Sequence, residues 1–192
     1  PGSGKSVFLQ SMVLATAYKY SPKNINFMMI DFKPGPSELS KLSQLPHVVG
    51  FLDEFSGEGG LKAERALQAL ENEFARRDRL FIEAGNINSG GRPKDIYVYN
   101  QRFPDRPLPH LLVIIDEFEA GVKMIPTLLD RLQPIGSKGR AYGIYFILAN
   151  QRTIHQMEML SDFVAWKILL KVQNPAEMAL IDRNLPIPPG KG

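Results

Sequence analysis

The chain has 192 residues, 44% hydrophobic and 22% charged, enough for one globular domain with an ample core and too few for a second independent one. Its 23 basic and 20 acidic residues leave a net charge of +3, too balanced to announce a nucleic-acid surface by itself. The absence of cysteine excludes disulfides and cysteine-ligated zinc and is compatible with the cytosol, and the three histidines at 47, 110 and 155 each stand alone. No apolar run approaches the length of a membrane span and residue 1 opens no signal peptide, so any membrane attachment is expected outside this stretch.

Pro1-Gly2-Ser3-Gly4-Lys5-Ser6 matches the last six positions of the phosphate-binding loop G-x-x-x-x-G-K-[ST], whose first glycine is expected two positions before residue 1. Small residues let backbone N–H groups turn inward around phosphates, and a side chain on Gly2 or Gly4 would block their approach. Lys5 supplies positive charge to the β and γ phosphates, and Ser6 offers a hydroxyl to Mg²⁺. Pro1, Gly2, Ser3, Gly4, Lys5, Ser6 and Val7 are therefore the candidate contacts for ATP. The plainer alternative is a Gly-Ser turn that happens to precede lysine. An apolar helix from about Ser6 to Tyr20, broken at Ser21-Pro22, argues for the loop, because its positive dipole end faces the anion.

Ile25 to Phe32 is a short apolar run stopped by Lys33-Pro34-Gly35-Pro36, the profile of a buried parallel strand. His47 to Leu52 reads as a second, shorter strand, ending in the acidic, Gly-rich stretch Asp53 to Gly60. From Leu61 to Ala84, apolar residues at Ala63, Ala66, Leu67, Leu70, Phe74, Leu80 and Phe81 recur at helical spacing, and Gly85-Asn86 is the expected stop. Arg76, Arg77 and Arg79 on that helix read as a solvated face. Residues 85 to 109 form a Pro- and Gly-rich excursion with one short helix expected over Ile96 to Asn100.

Leu111 to Ile115, ending on Asp116-Glu117, is the strongest strand signal, and Ile144 to Asn150 is the next. Between them a helix is expected over Ile125 to Ile135 with Pro126 in its first turn. Phe163 to Val172 reads as a further strand. Asn174-Pro175-Ala176-Glu177 then opens a short helix to about Asp182. Strands alternating with helices predict a three-layer α/β sheet, mainly parallel, over a single domain at 1–192 whose Pro-rich end reads as cut short like its beginning.

The acidic pair supplies the second half of a nucleotide site. Asp116 emerges at the C-terminal end of a central strand, where its carboxylate can stand beside Ser6 and Mg²⁺, and Glu117 can orient the attacking water. The alternative is a strand that ends on two solvated acids. Asn150-Gln151 offers amides at the next strand end, with Gln151 the candidate sensor of the γ-phosphate. Charge spreading over that phosphate also favours an arginine, often from a neighbouring subunit, and Arg140 and Arg65 are the candidates.

Taken together these residues resemble the FtsK/SpoIIIE-type P-loop ATPases, and within them the type VII secretion ATPases EccC and EssC. The resemblance rests on Pro1 to Ser6 with Phe8-Leu9-Gln10, on Asn26-Phe27 and Ile30-Asp31-Phe32-Lys33, and on Leu45-Pro46-His47-Val48. It extends through Ala69-Leu70, Glu73, Arg76-Arg77, Pro109-His110, Asp116-Glu117-Phe118, Gly139 to Ile144 and Leu170 to Gln173. The chain departs from the family pattern at Pro34, Tyr145, Asn150, Thr153 and the order Glu119-Ala120, which puts loop contacts in doubt and leaves Lys5, Ser6, Asp116 and Glu117 intact. The resemblance implies a RecA-like fold, a homo-oligomer that is expected to be a hexamer, and tandem ATPase domains in a longer chain anchored at the cytoplasmic face of the membrane. It implies small helical secreted proteins as cargo and makes Arg65 and Arg140 plausible trans-acting groups. A DNA translocase or conjugation coupling protein is one alternative, since residues 85 to 109 carry Arg92, Lys94, Arg102 and Arg106. A nucleotide-gated docking module with little hydrolysis is the other.

Overall fold

A computed structural model of the chain describes residues 4–33, 35, 37–53, 59–87 and 90–151, with positions 164, 166, 168 and 170. Four parallel strands, β1 (Ile25–Asp31), β2 (Val48–Leu52), β3 (His110–Asp116) and β4 (Ile144–Leu148), form a sheet in the order β2-β1-β3-β4. The long aliphatic run of β3 puts it at the centre, covered on both faces. Val113, Ile114 and Ile115 are all 0% exposed, and each such burial contributes about 1.5–3 kcal/mol. Apart from positions 164, 166, 168 and 170, the predicted strand over 163–172 lies outside the described residues, as does the predicted helix over 174–182.

Side-chain alternation along the strands divides the core in two. Leu111, Val113 and Ile115 of β3 face one side with Ile30 of β1, beneath α2 (Gly59–Ile87), α4 (Phe118–Met124) and α5 (Leu128–Lys138). Phe27 and Met29 of β1 and Ile114 of β3 face the other side, where α1 (Lys5–Lys19) brings Leu9 and Val13 and a 3₁₀ turn over Glu38–Leu42 brings Leu39 and Leu42. The expected three-layer parallel α/β architecture is the one observed.

Several local expectations are corrected. The helix α2 does not stop at Gly85 but runs to Ile87. Gly85 is there because a Cβ would stand 3.0 Å from the backbone of Arg92, so the chain returning towards α3 (Ile96–Arg102) needs the space. The helix expected over Ile125 to Ile135 is α5, which starts three residues later and runs on to Lys138, and a separate short helix, α4, precedes it. α4 starts at Phe118, and α5 starts at Leu128 after a turn that holds Pro126, with Pro134 inside α5. Gly121 sits within α4 because the Phe32 ring lies where its side chain would be, 2.5 Å from an added Cβ.

Arg77 is not on a solvated face. It is 2% exposed, bonded through Nε to Glu73 Oε1 at 2.7 Å and through Nη1 to the Tyr142 carbonyl at 2.7 Å. Burial lowers its pKa, partly offset by Glu73. The Tyr142 hydroxyl meets Asp78 and receives Arg92 Nη2 at 2.5 Å. Together these bonds clamp α2 to the 3₁₀ turn Gly139–Tyr142 that precedes β4. Arg76, by contrast, is exposed and closes an i,i+3 pair with Glu73.

Candidate functional site

α1 enters the site through Gly4, whose φ of 84° lies in the left-handed region. No atom comes within 4 Å of a Cβ built there, so in this structure the backbone turn, and not crowding, calls for glycine. The first helical bond of α1 is Phe8 N–H to the Gly4 carbonyl at 2.9 Å, which leaves the N–H groups of Lys5, Ser6 and Val7 outside the helical ladder. That end of the helix has no side-chain cap and no acid in its first turn. An open, positively polarised helix start of this kind suits an anion. Pro1, Gly2 and Ser3 lie outside the described residues, and Val7 is 66% exposed.

The parallel strands bring their carboxyl ends to the same place. Asp31 continues the Phe27–Met29 parity of β1 and Asp116 the Leu112–Ile114 parity of β3, so both acids face the α1 side, and they are partners in register. The Phe32 N–H donates to the Asp116 carbonyl at 3.1 Å, extending the ladder one step past the strand. Lys5 Nζ bonds Asp116 Oδ1 and also Glu117 Oε1, the latter at 2.5 Å. The loop lysine and the acidic pair, 111 and 112 residues apart in sequence, thus meet. Burial pushes the Asp116 carboxyl above the usual carboxylate range, Lys5 pulls it back, and Asp31 adds to the push.

Glu117 adopts φ 52° and ψ 47°, the only positive φ at a non-glycine residue among those described. Its N–H donates to Asp116 Oδ1 at 2.9 Å, and the chain turns there directly into α4. Such strain persists where the surroundings hold it and clusters at functional sites. The β4 end supports the same turn: Ala149 accepts from Phe118 N–H at 3.1 Å, and Asn150 Oδ1 accepts from Glu119 N–H at 2.9 Å. Asn150 holds α4 through its Oδ1 while its buried Nδ2 has no protein partner among the described residues, and of the two amides expected at this strand end Gln151 is the one that lines the site cavity.

That cavity is lined by Lys5, Ser6, Asp31, Lys33, Glu38, Asp116, Glu117 and Gln151. Five of these were candidates from sequence. Asp31, Lys33 and Glu38 were not, although Asp31 ends an apolar strand just as Asp116 does. Arg140 and Arg65 do not line it. Both are exposed, and Arg140 precedes β4, at the opposite end of the sheet from the strand ends. Five strand residues at about 3.3 Å each put it roughly 16 Å away along β4.

The donor set fits a Mg²⁺-nucleotide. Among the described residues no three His, Cys, Asp or Glu side chains stand together as a metal cage. Mg²⁺ needs few protein ligands, since phosphates and water complete its octahedron. Ser6 Oγ and the Asp116 carboxylate would hold it, with Lys5 and the α1 N–H groups on the phosphates. A phosphate-binding helix start facing an Asp-Glu strand end across a parallel sheet defines a P-loop nucleotide site.

The FtsK/SpoIIIE family profile matches residues 1–177, and the chain belongs to that family of P-loop ATPases. It is 32% identical over 186 residues to the ESX secretion system protein EccC of Geobacillus thermodenitrificans, covering 95% of this chain and 12% of that protein. The cytoplasmic domain of the Thermomonospora curvata type VII secretion ATPase EccC superposes with a TM-score of 0.70 at 30% identity, over 80% of this chain and 17% of that one. The cytoplasmic domain of EssC superposes with a TM-score of 0.75 at 26% identity, over 94% and 33%. The conjugation coupling protein TcpA, solved with ATPγS, gives a lower TM-score of 0.56 at 26% identity, over 79% and 40%. The chain thus spans a small part of the relatives it matches. No helix among the described residues is long and apolar enough to cross a membrane.

Proposed function

We propose that this domain binds and hydrolyses ATP as one unit of a type VII protein-secretion motor of the EccC/EssC kind. The observation that carries the chemistry is the meeting of Lys5 with Asp116 and Glu117 beside the uncapped start of α1. The reading of secretion over DNA transport is supported by the EccC and EssC relatives, against which TcpA superposes less well.

In this reading Lys5 leaves the acids for the β and γ phosphates when nucleotide arrives, and Ser6 and Asp116 face the metal. Mg²⁺, when bound, neutralises charge on the phosphate oxygens. Glu117, freed from Lys5, orients a water against the γ-phosphorus. The bond to the β–γ bridging oxygen breaks, ADP and phosphate leave, and the water's proton passes to solvent or phosphate. Gln151, which lines the cavity, would distinguish triphosphate from diphosphate through its amide. Arg140, remote from its own cavity, serves the site of a neighbouring copy in a ring, as Arg65 could from the exposed side of α2. An arginine supplied in trans is worth about 10³–10⁵-fold in rate. The motor would act at the cytoplasmic face of the membrane, through anchoring and tandem domains beyond residues 1–192, on small helical secreted proteins.

The test uses the complete polypeptide. Glu117→Gln keeps ATP binding and loses turnover, and wild-type turnover rises steeply with protein concentration as sites complete one another. Unchanged turnover in Glu117→Gln refutes the role of Glu117. Negligible turnover at every concentration favours a docking module, and stimulation by duplex DNA with strong salt dependence favours a DNA motor.

A further inference from the structure

We propose that Asp31 is a positioning carboxylate of the nucleotide site, acting on the water shell of the cation that Ser6 and Asp116 would hold. The inference rests on the ATPase reading above and adds a residue to it.

Asp31 and Asp116 are the two buried carboxylates among the described residues, 2% and 4% exposed. They end adjacent strands, pair in register and face the same side. Both line the cavity with Lys5, Ser6, Glu117 and Gln151. Their surroundings differ. Asp116 has the Lys5 ammonium, whereas the hydrogen bond Asp31 receives is from the Lys33 backbone N–H, at 2.9 Å to Oδ1. Two carboxylates side by side at the ends of paired strands repel each other, and a cation beside them offsets that repulsion. Around the cavity, one buried ammonium, Lys5, stands against the carboxylates of Asp31, Asp116 and Glu117. Lys33 is exposed at the rim. A divalent cation held by Ser6 and Asp116 would offset the excess negative charge, and its bound water would donate to Asp31. Carboxylates in this position orient the ligands of a metal and tune its affinity.

The plainer role for Asp31 is to cap the turn after β1 through the Lys33 N–H. Asp31→Asn separates the two, because an amide oxygen still accepts that bond while the charge is gone. The measurement is Mn²⁺ titration of the complete polypeptide with ATP, free Mn²⁺ read by electron paramagnetic resonance, with Lys5→Ala as the background for other sites on the chain. ATP affinity in EDTA is read in parallel. We expect Asp31→Asn to lower Mn²⁺ affinity by about 10–100-fold while metal-free ATP affinity stays level or rises, because the lost charge no longer repels the phosphates. Mn²⁺ affinity within about twofold of wild type overturns the proposal and leaves the ATPase reading standing. Wild-type protein whose Mn²⁺ and ATP binding equal those of Lys5→Ala overturns both. Should Asp31→Asn fail to fold, Asp31→Ser, whose hydroxyl also accepts from Lys33, is titrated in the same way and judged by the same limits.

Discussion

Replacing Gly121 with alanine changes one methyl group on α4, and its consequence reaches the nucleotide site through Phe32. The added Cβ would lie 2.5, 2.6 and 3.0 Å from three atoms of the Phe32 ring, which is itself 2% exposed and has no room to turn away. Overpacking of this kind costs about 1–3 kcal/mol, and contacts this short belong at the upper end. Alanine gains about 1 kcal/mol over glycine in a helix interior, so the net effect is a loss of about 2 kcal/mol. The strain falls on the Phe32 N–H bond to the Asp116 carbonyl and on the αL turn at Glu117, where α4 begins. Hydrogen exchange of the Phe32 amide should therefore quicken by about 30-fold, the factor that 2 kcal/mol implies, and ATP turnover should fall. The control is Gly60→Ala in the first turn of α2, where a Cβ meets nothing within 4 Å and a smaller propensity gain has nothing to oppose it, so exchange there should slow or stay unchanged. Exchange of Phe32 at the wild-type rate in Gly121→Ala would refute the packing argument.

Lys5→Ala should lose ATP binding and also change how stability depends on pH. The Asp116 carboxyl is already raised by burial and loses the ammonium that lowers it, so its folded pKa moves further above the unfolded one. The folded state then binds more protons, and stability falls as pH rises through the folded pKa and recovers as pH is lowered towards the ordinary carboxylate range. Melting temperature against pH, for variant and wild type, reads this directly. Arg77→Met should loosen the turn at 139–142 by about 1.5–3 kcal/mol, the worth of a charge-assisted bond to a buried carbonyl. Tyr142→Phe, whose hydroxyl partners Asp78 and Arg92 are both exposed by more than a third, should cost under about 1 kcal/mol. Exchange of the 139–143 amides ranks the two, and equal effects would contradict the clamp. Subunits carrying Arg140→Ala should lose turnover alone and regain part of it when mixed with Glu117→Gln subunits, since each then supplies what the other lacks. No recovery on mixing would remove Arg140 from the trans role.

The strands were legible because burial on both faces leaves an unmistakable aliphatic run, and β1, β3 and β4 each show one. The lysine and the acidic pair were legible because their chemistry demands those residue types at fixed spacing. What escaped depended on contacts between distant segments. Gly85 reads as a helix stop, yet it makes room for the Arg92 backbone, and Gly121, which carries no signal of its own, makes room for the Phe32 ring. Helix α4 begins at a left-handed glutamate with no capping side chain, so no start signal marks it. Arg77 sits in a run of charges and is told apart from Arg76 only by the Tyr142 carbonyl, 65 positions away. Asp31 carries the same strand-end signal as Asp116 but lacks a second acid beside it to draw notice.

The central claim is that one metal-bound nucleotide is held between the start of α1 and the ends of β1 and β3. A structure of the complete polypeptide with Mg²⁺ and a non-hydrolysable ATP analogue tests it most directly. The account predicts Lys5 Nζ on the γ-phosphate and no longer on Glu117, with the metal beside Ser6 and Asp116. Nucleotide bound elsewhere, or Lys5 still paired with both acids while phosphates are present, would contradict it.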